Sequence, residues 1–143
     1  MTSWLLPDIN VWVAMHHQRH THNQMAQAWF DGLDEEMMLV FCRQTQLGFF
    51  RLLTNAAVMG EETVTQRHCW EIYEEWLASG RAIFQAEPIG IEAAFRARTF
   101  ALEAAPKTWM DAYLAAFAEA AGFTLATFDQ ALAAKVKGAV VLG

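Results

Sequence analysis

The 143 residues carry 16 acidic against 10 basic side chains, for a net charge of −6, and 55% of them are hydrophobic, six being Trp. A chain of this length fits one domain spanning residues 1–143, buries a core without covalent staples, and lacks the basic surplus of broad nucleic-acid binders. No apolar run approaches the ~18 residues that cross a bilayer, and Met1 to Asp8 lacks a basic leader, so the expectation is a cytoplasmic protein with no membrane contact. The hydrophobic share lies above the roughly 45–50% of soluble domains and points to apolar surface covered by a partner. Cys42 and Cys69 sit in apolar stretches without metal-ligand spacing and are expected as buried free thiols.

In chain order, Trp4 to Pro7 is a short apolar run predicting a first strand, closed by Asp8. Helices are expected from Asn10 to about His17 and from Asn23 to Gly32, where Met25, Ala28 and Trp29 keep helical spacing. Met37 to Phe41 predicts a second strand and Gln44 to Leu53 a helix. Thr63 to Leu77 predicts an amphipathic helix, with Val64, Cys69, Ile72, Tyr73 and Trp76 inward and Glu71, Glu74 and Glu75 outward. A third strand is expected over 82–86, then helices from Ile91 to Glu103 and from Trp109 to Ala121, the second closed by Gly122. Phe123 to Ala126, Gln130 to Lys135 and Ala139 to Leu142 complete the pattern as strand, helix and strand. Strands alternating with helices imply an α/β sandwich around a mainly parallel sheet.

In such folds ligands bind beyond the carboxyl ends of the strands. Asp8 falls there after the first strand and Asp129 after the fourth, while Asp111 stands in the first turn of a long helix. Carboxylates brought together suit a hard divalent cation, which takes oxygen ligands and keeps waters. Taken singly, each has a structural explanation: Asp8 in an Asx turn, Asp111 as the acid of a cap opened by Thr108, and Asp129 capping the last helix. Only their combination favours chemistry.

Four blocks in order carry a resemblance. They are Leu5-Leu-Pro-Asp8-Ile-Asn10-Val-Trp12, Phe41-Cys-Arg-Gln-Thr-Gln46-Leu-Gly-Phe-Phe-Arg51-Leu-Leu-Thr-Asn55, Lys107-Thr-Trp-Met-Asp111-Ala-Tyr-Leu, and Gly122-Phe-Thr-Leu-Ala-Thr127-Phe-Asp129. Together they resemble the PIN-domain ribonucleases, in particular VapC-type toxins of type II toxin–antitoxin systems. The resemblance implies a three-layer α/β/α sandwich with a five-stranded sheet in the order 3-2-1-4-5. It also implies an Mg²⁺- or Mn²⁺-dependent endoribonuclease, neutralised by a VapB-like antitoxin and commonly a homodimer. Its RNA substrate would be tRNA or another structured RNA. Carried over by position, Asp8, Asp111 and Asp129 would be metal ligands, and Asn10 and Thr127 would orient them. The second block usually supplies a Glu to the catalytic set, and here Gln46 stands in its place. An amide oxygen can still hold metal or a coordinated water but adds no charge, so weaker metal affinity is expected. The alternative is a catalytically impaired PIN-fold module that keeps antitoxin binding.

Arg43 and Arg51, on the helix carrying Gln46, are the candidate RNA phosphate contacts, because a guanidinium grips phosphate bidentately. His16, His17, His20 and His22 form a cluster in which His16 and His20 could share one helical face. An exposed polar turn explains them better than a transition-metal site. A phospho-accepting role for Asp8 would want a second acid where Asn10 stands.

Overall fold

The computed structural model describes residues 3–143; Met1 and Thr2, part of the stretch read above for a leader, lie outside the described residues. Five strands form the sheet: β1 (Ser3–Pro7), β2 (Met37–Phe41), β3 (Ala82–Phe84), β4 (Thr124–Thr127) and β5 (Val140–Val141). Their order is β3-β2-β1-β4-β5 and every pairing is parallel. The chain therefore works outward from β1 in one direction and returns to β4 on its other flank. That reversal leaves a crevice above the carboxyl ends of β1 and β4.

Eight helices flank the sheet among the described residues: α1 (Ile9–His16), α2 (Asn23–Asp31), α3 (Arg43–Leu53), α4 (Ala56–Met59), α5 (Gln66–Ala78), α6 (Ile91–Thr99), α7 (Trp109–Ala121) and α8 (Gln130–Ala134). Period-2 alternation splits the strands between two cores. Leu5, Leu39, Phe41, Ala82 and Ala126 join α1, α3 and α5 on one face, with Trp12 stacked on Phe41 at 3.8 Å. Leu6, Val40 and Leu125 join Leu114, Phe117 and Leu132 of α7 and α8 on the other. The result is the α/β/α sandwich expected.

Differences from expectation sit at element ends. Asp8 caps α1 by accepting from the Ile9 N–H at 2.7 Å, so the helix opens at Ile9. Thr65, accepting from His68, starts α5 three residues later than expected. The stretch before it holds α4, capped by Asn55, and a 3-10 turn over Gly60–Glu62 that was not anticipated. The helix expected to reach Glu103 ends at Thr99. Gly122, at φ +72, closes α7 as expected, in the left-handed region that residues with a Cβ rarely adopt. Both thiols are free and buried. Trp76 and Tyr73 pack into or against the core, whereas Trp70 is half exposed.

Candidate active site

Asp8 follows directly on β1, and its backbone N–H donates to the Ala126 carbonyl at 2.8 Å, which locks the end of β1 to β4. One carboxylate oxygen accepts from the Ile9 N–H; the other accepts from the Thr127 hydroxyl at 2.9 Å. Thr127 is fully buried, and the same hydroxyl accepts from the Asp129 N–H at 3.0 Å. Asp129 in turn accepts from the Leu132 N–H at 3.1 Å and caps α8. A short chain of bonds thus joins the Asp8 carboxylate, through the Thr127 hydroxyl, to the Asp129 backbone N–H on the adjacent strand end. The capping explanations for Asp8 and Asp129 hold, and they also aim the side chains.

Asp111 lies in the first turn of α7, and its carboxylate makes no hydrogen bond to the described residues, so both oxygens are available. The cap expected from Thr108 is absent: that hydroxyl donates back to the Ala105 carbonyl instead. Burial pushes the Asp8 carboxyl above its ordinary value; its bonds to Thr127 and Ile9 oppose this, and the charges of Asp111 and Asp129 add to it. The Asp111 carboxyl is pushed up by burial first, then by Asp129, with Lys135 pulling the other way. The acids therefore share one electrostatic field. They are not a closed ligand set, since among the described residues no three His, Cys, Asp or Glu side chains are grouped tightly enough to hold an ion. The donor chemistry fits a hard divalent cation: all oxygen, with lone pairs unspent on each carboxylate.

Gln46 is 2% exposed. Its Oε1 accepts from the Arg43 guanidinium. Arg43 also lies over the Phe84 ring, 4.5 Å from its centre. Asn10 is exposed on the first turn of α1 and forms no side-chain hydrogen bond among the described residues. Arg51 is exposed at the end of α3 without an ion-pair partner among the described residues. Lys135, just past α8, was missed as a neighbour of Asp111; nothing in its local sequence marks it.

The histidines divide by burial. His16 ends α1, and its Nε2 accepts from the Trp76 indole N–H at 2.7 Å, while burial holds its pKa down to about 4. His17 meets Glu62 at 2.5 Å, and His22 stacks on Phe128 at 4.5 Å. His16 and His20 do not share a helix, because α1 ends at His16.

A strap of parallel strands with carboxylates at the crevice defines the class. Residues 5–138 match the family model described as the PIN domain, and the chain belongs to the PIN-domain family. Ribonuclease VapC41 of Mycobacterium tuberculosis is 43% identical over 131 residues, covering 89% of this chain and 90% of that protein. FitAcB from Neisseria gonorrhoeae superposes with a TM-score of 0.57 at 29% identity, over 96% of each chain. M. tuberculosis VapC20, described as a sarcin-ricin loop cleaving toxin, gives a TM-score of 0.65 over 91% of this chain and 93% of that one; at 12% identity this likeness concerns the fold alone.

Proposed function

We propose that this protein is a ribonuclease toxin whose endonucleolytic cleavage of RNA depends on a divalent cation held by Asp8, Asp111 and Asp129, directly or through coordinated water. The observation that carries the reading is the Asp8–Thr127–Asp129 chain of bonds at the ends of β1 and β4, with the Asp111 charge acting on Asp8 and the Asp129 charge on Asp111. Mg²⁺ or Mn²⁺ bound there supplies an acidified water and neutralises charge on the phosphate. The protein's part is placement. Thr127 and the Ile9 N–H hold the Asp8 carboxylate in one orientation, and the unbonded oxygens of Asp111 face the same field. Burial raises the cost of leaving these charges unpaired, which favours cation binding. Lys135 lies close enough to Asp111 to moderate that charge. Arg51 is free to take an RNA phosphate; Arg43 can do so only beside its bond to Gln46.

An antitoxin is the natural partner of a toxin, and the chain's net charge of −6 suits a basic one. Phe100 and Leu102, 86% and 104% exposed, offer apolar surface for a partner or a second copy of the chain. No helix among the described residues is long and apolar enough to cross a membrane, and we assign the protein to the cytoplasm, where such RNA lies. The RNA would be tRNA or another structured species.

One observation favours a second reading. With Gln46, bonded to Arg43, standing where an acid would be, the set has three carboxylates and no fourth, so a binding module with impaired hydrolysis is the alternative. Incubating purified protein with total RNA and Mn²⁺, with and without chelator, separates the two. The nuclease reading expects cleavage that chelator stops and that Asp8→Asn lowers by about a hundredfold or more, ~2.7 kcal/mol of barrier. Cleavage by Asp8→Asn at the wild-type rate would overturn the assignment of Asp8; intact RNA under all conditions would favour the module.

A further inference from the structure

Arg43 is the first residue of α3 and stands two residues past the end of β2. The pairing of Leu5 with Leu39 between β1 and β2, carried forward, sets Asp8 level with Cys42. Arg43 therefore begins one residue beyond Asp8 on the neighbouring strand end. Adjacent strands lie about 4.8 Å apart, so a ligand spread over the carboxyl ends of the sheet comes within reach of so long a side chain. The guanidinium leans towards β3, covering the Phe84 ring at 4.5 Å from its centre, and one N–H donates to Gln46 Oε1 at 2.5 Å. It borders an open cleft of about 450 Å³ whose walls also include Glu87 and Tyr113. Arg43 is exposed and has no ion-pair partner among the described residues; Glu87 instead accepts from the Tyr113 hydroxyl.

Two contacts thus hold this guanidinium without discharging it. The ring face attracts the cation, and the amide oxygen takes one of its five N–H groups, leaving the rest of the fork open. An acid at position 46 would meet the same N–H and cancel the charge that an approaching anion feels; an amide carries none. Gln46 is itself fixed by burial at 2% exposure, so the bond ties Arg43 to a rigid point. A long side chain loses rotamer freedom when it grips a ligand, and one already held loses less.

We infer that Gln46 is a positioning residue, which holds Arg43 ready to take an RNA phosphate flanking the scissile one. The inference rests on the nuclease reading for the identity of the ligand. It gives the buried glutamine a task in substrate binding in place of metal binding. An arginine fork matches two phosphate oxygens at once, and such contacts fix the register of a strand without reading its bases. Because β3 lies on the far side of β2 from β1, the phosphate that this fork meets is a neighbour of the one at the acids.

The test measures binding of a short, fluorescein-labelled single-stranded RNA of mixed sequence by anisotropy in EDTA, between about 50 and 200 mM KCl. Arg43→Gln should weaken binding about tenfold and lower the salt slope by about 0.7, the share of one phosphate contact. Gln46→Leu keeps the charge and loses the holder, so binding about threefold weaker at an unchanged slope is expected, with no further loss on top of Arg43→Gln. Arg81→Gln removes a charge at the amino end of β3 and should change affinity by less than about twofold. Wild-type affinity and slope in Arg43→Gln, or an equal loss in Arg81→Gln, would overturn the inference. So would Gln46→Leu losses that add in full to those of Arg43→Gln, or a wild type that does not bind the RNA. Arg43-dependent binding with total RNA left uncleaved in Mn²⁺ would retain the Arg43 contact and remove the nuclease reading; cleavage with affinity independent of Arg43 would do the reverse.

Discussion

Asp129 performs two tasks that two substitutions separate. It accepts from the Leu132 N–H and so caps α8, and its charge acts on both Asp8 and Asp111. Asn keeps the capping oxygen and removes the charge, whereas Ala removes both. Because α8 is only five residues long, its cap matters, and losing such a cap costs roughly 1 kcal/mol. In a domain of this size that lowers Tm by about 3–5 °C. The charge works in the opposite sense without metal. Asp8 and Asp111 have carboxyls raised above 3.8, so each contributes stability below that unfolded value and loses it as pH rises through the folded one. Removing the Asp129 charge eases that loss at neutral pH. In EDTA at pH 7, Asp129→Asn should therefore melt at or slightly above the wild type, and Asp129→Ala about 3–5 °C below it. A cation at about 100 times its Kd adds ~2.7 kcal/mol to the wild type, and both variants should forfeit most of that gain. Scanning calorimetry with and without Mn²⁺, paired with RNA cleavage, reads all of this. Full Mn²⁺ stabilisation in Asp129→Asn would refute Asp129 as a metal ligand; equal destabilisation of the two variants would refute the separation of cap and charge.

Three other outcomes follow from the same geometry. His16 is neutral at a pKa of about 4 against 6.5 unfolded, so its contribution is whole above pH 6.5 and is lost as pH falls towards 4. That difference corresponds to roughly 3 kcal/mol; urea melts between pH 7 and 4.5 should show the decline, and His16→Gln should flatten it. Thr127→Val leaves an Asp8 oxygen and the Asp129 N–H without their partner and should cost about 1–3 kcal/mol, while Thr127→Ser should restore both bonds. A Val variant as stable as wild type would show that the hydroxyl chain is dispensable. Gln46→Glu should place its new charge against Arg43, so calorimetry is expected to find Mn²⁺ affinity raised by less than about tenfold. A hundredfold gain would mean that this side chain turns to the acids.

Much of the molecule is legible in its residues alone, because the relevant physics is local or periodic. Apolar runs and helical spacing mark all five strands and six of the eight described helices outright, with the Ile91 helix shorter than expected. The one helix missed, α4, is a single turn between Asn55 and Gly60, too short to show a period. Asp8, Asp111 and Asp129 stand out because each falls at the end of an element, whereas Thr127 was marked only by the family resemblance. Other features depend on how elements rotate and pack, which no local pattern records. Gln46 is buried and bonded to Arg43, and Asn10 is exposed on the turn that Asp8 caps. The Lys135 charge acts on Asp111 only because residues far apart in the chain are brought together across α7 and α8. Sequence spacing records which residues begin and end each element, since capping and periodicity act within a few positions. The direction a side chain takes across the crevice is a property of two packed surfaces, and only the folded chain decides it.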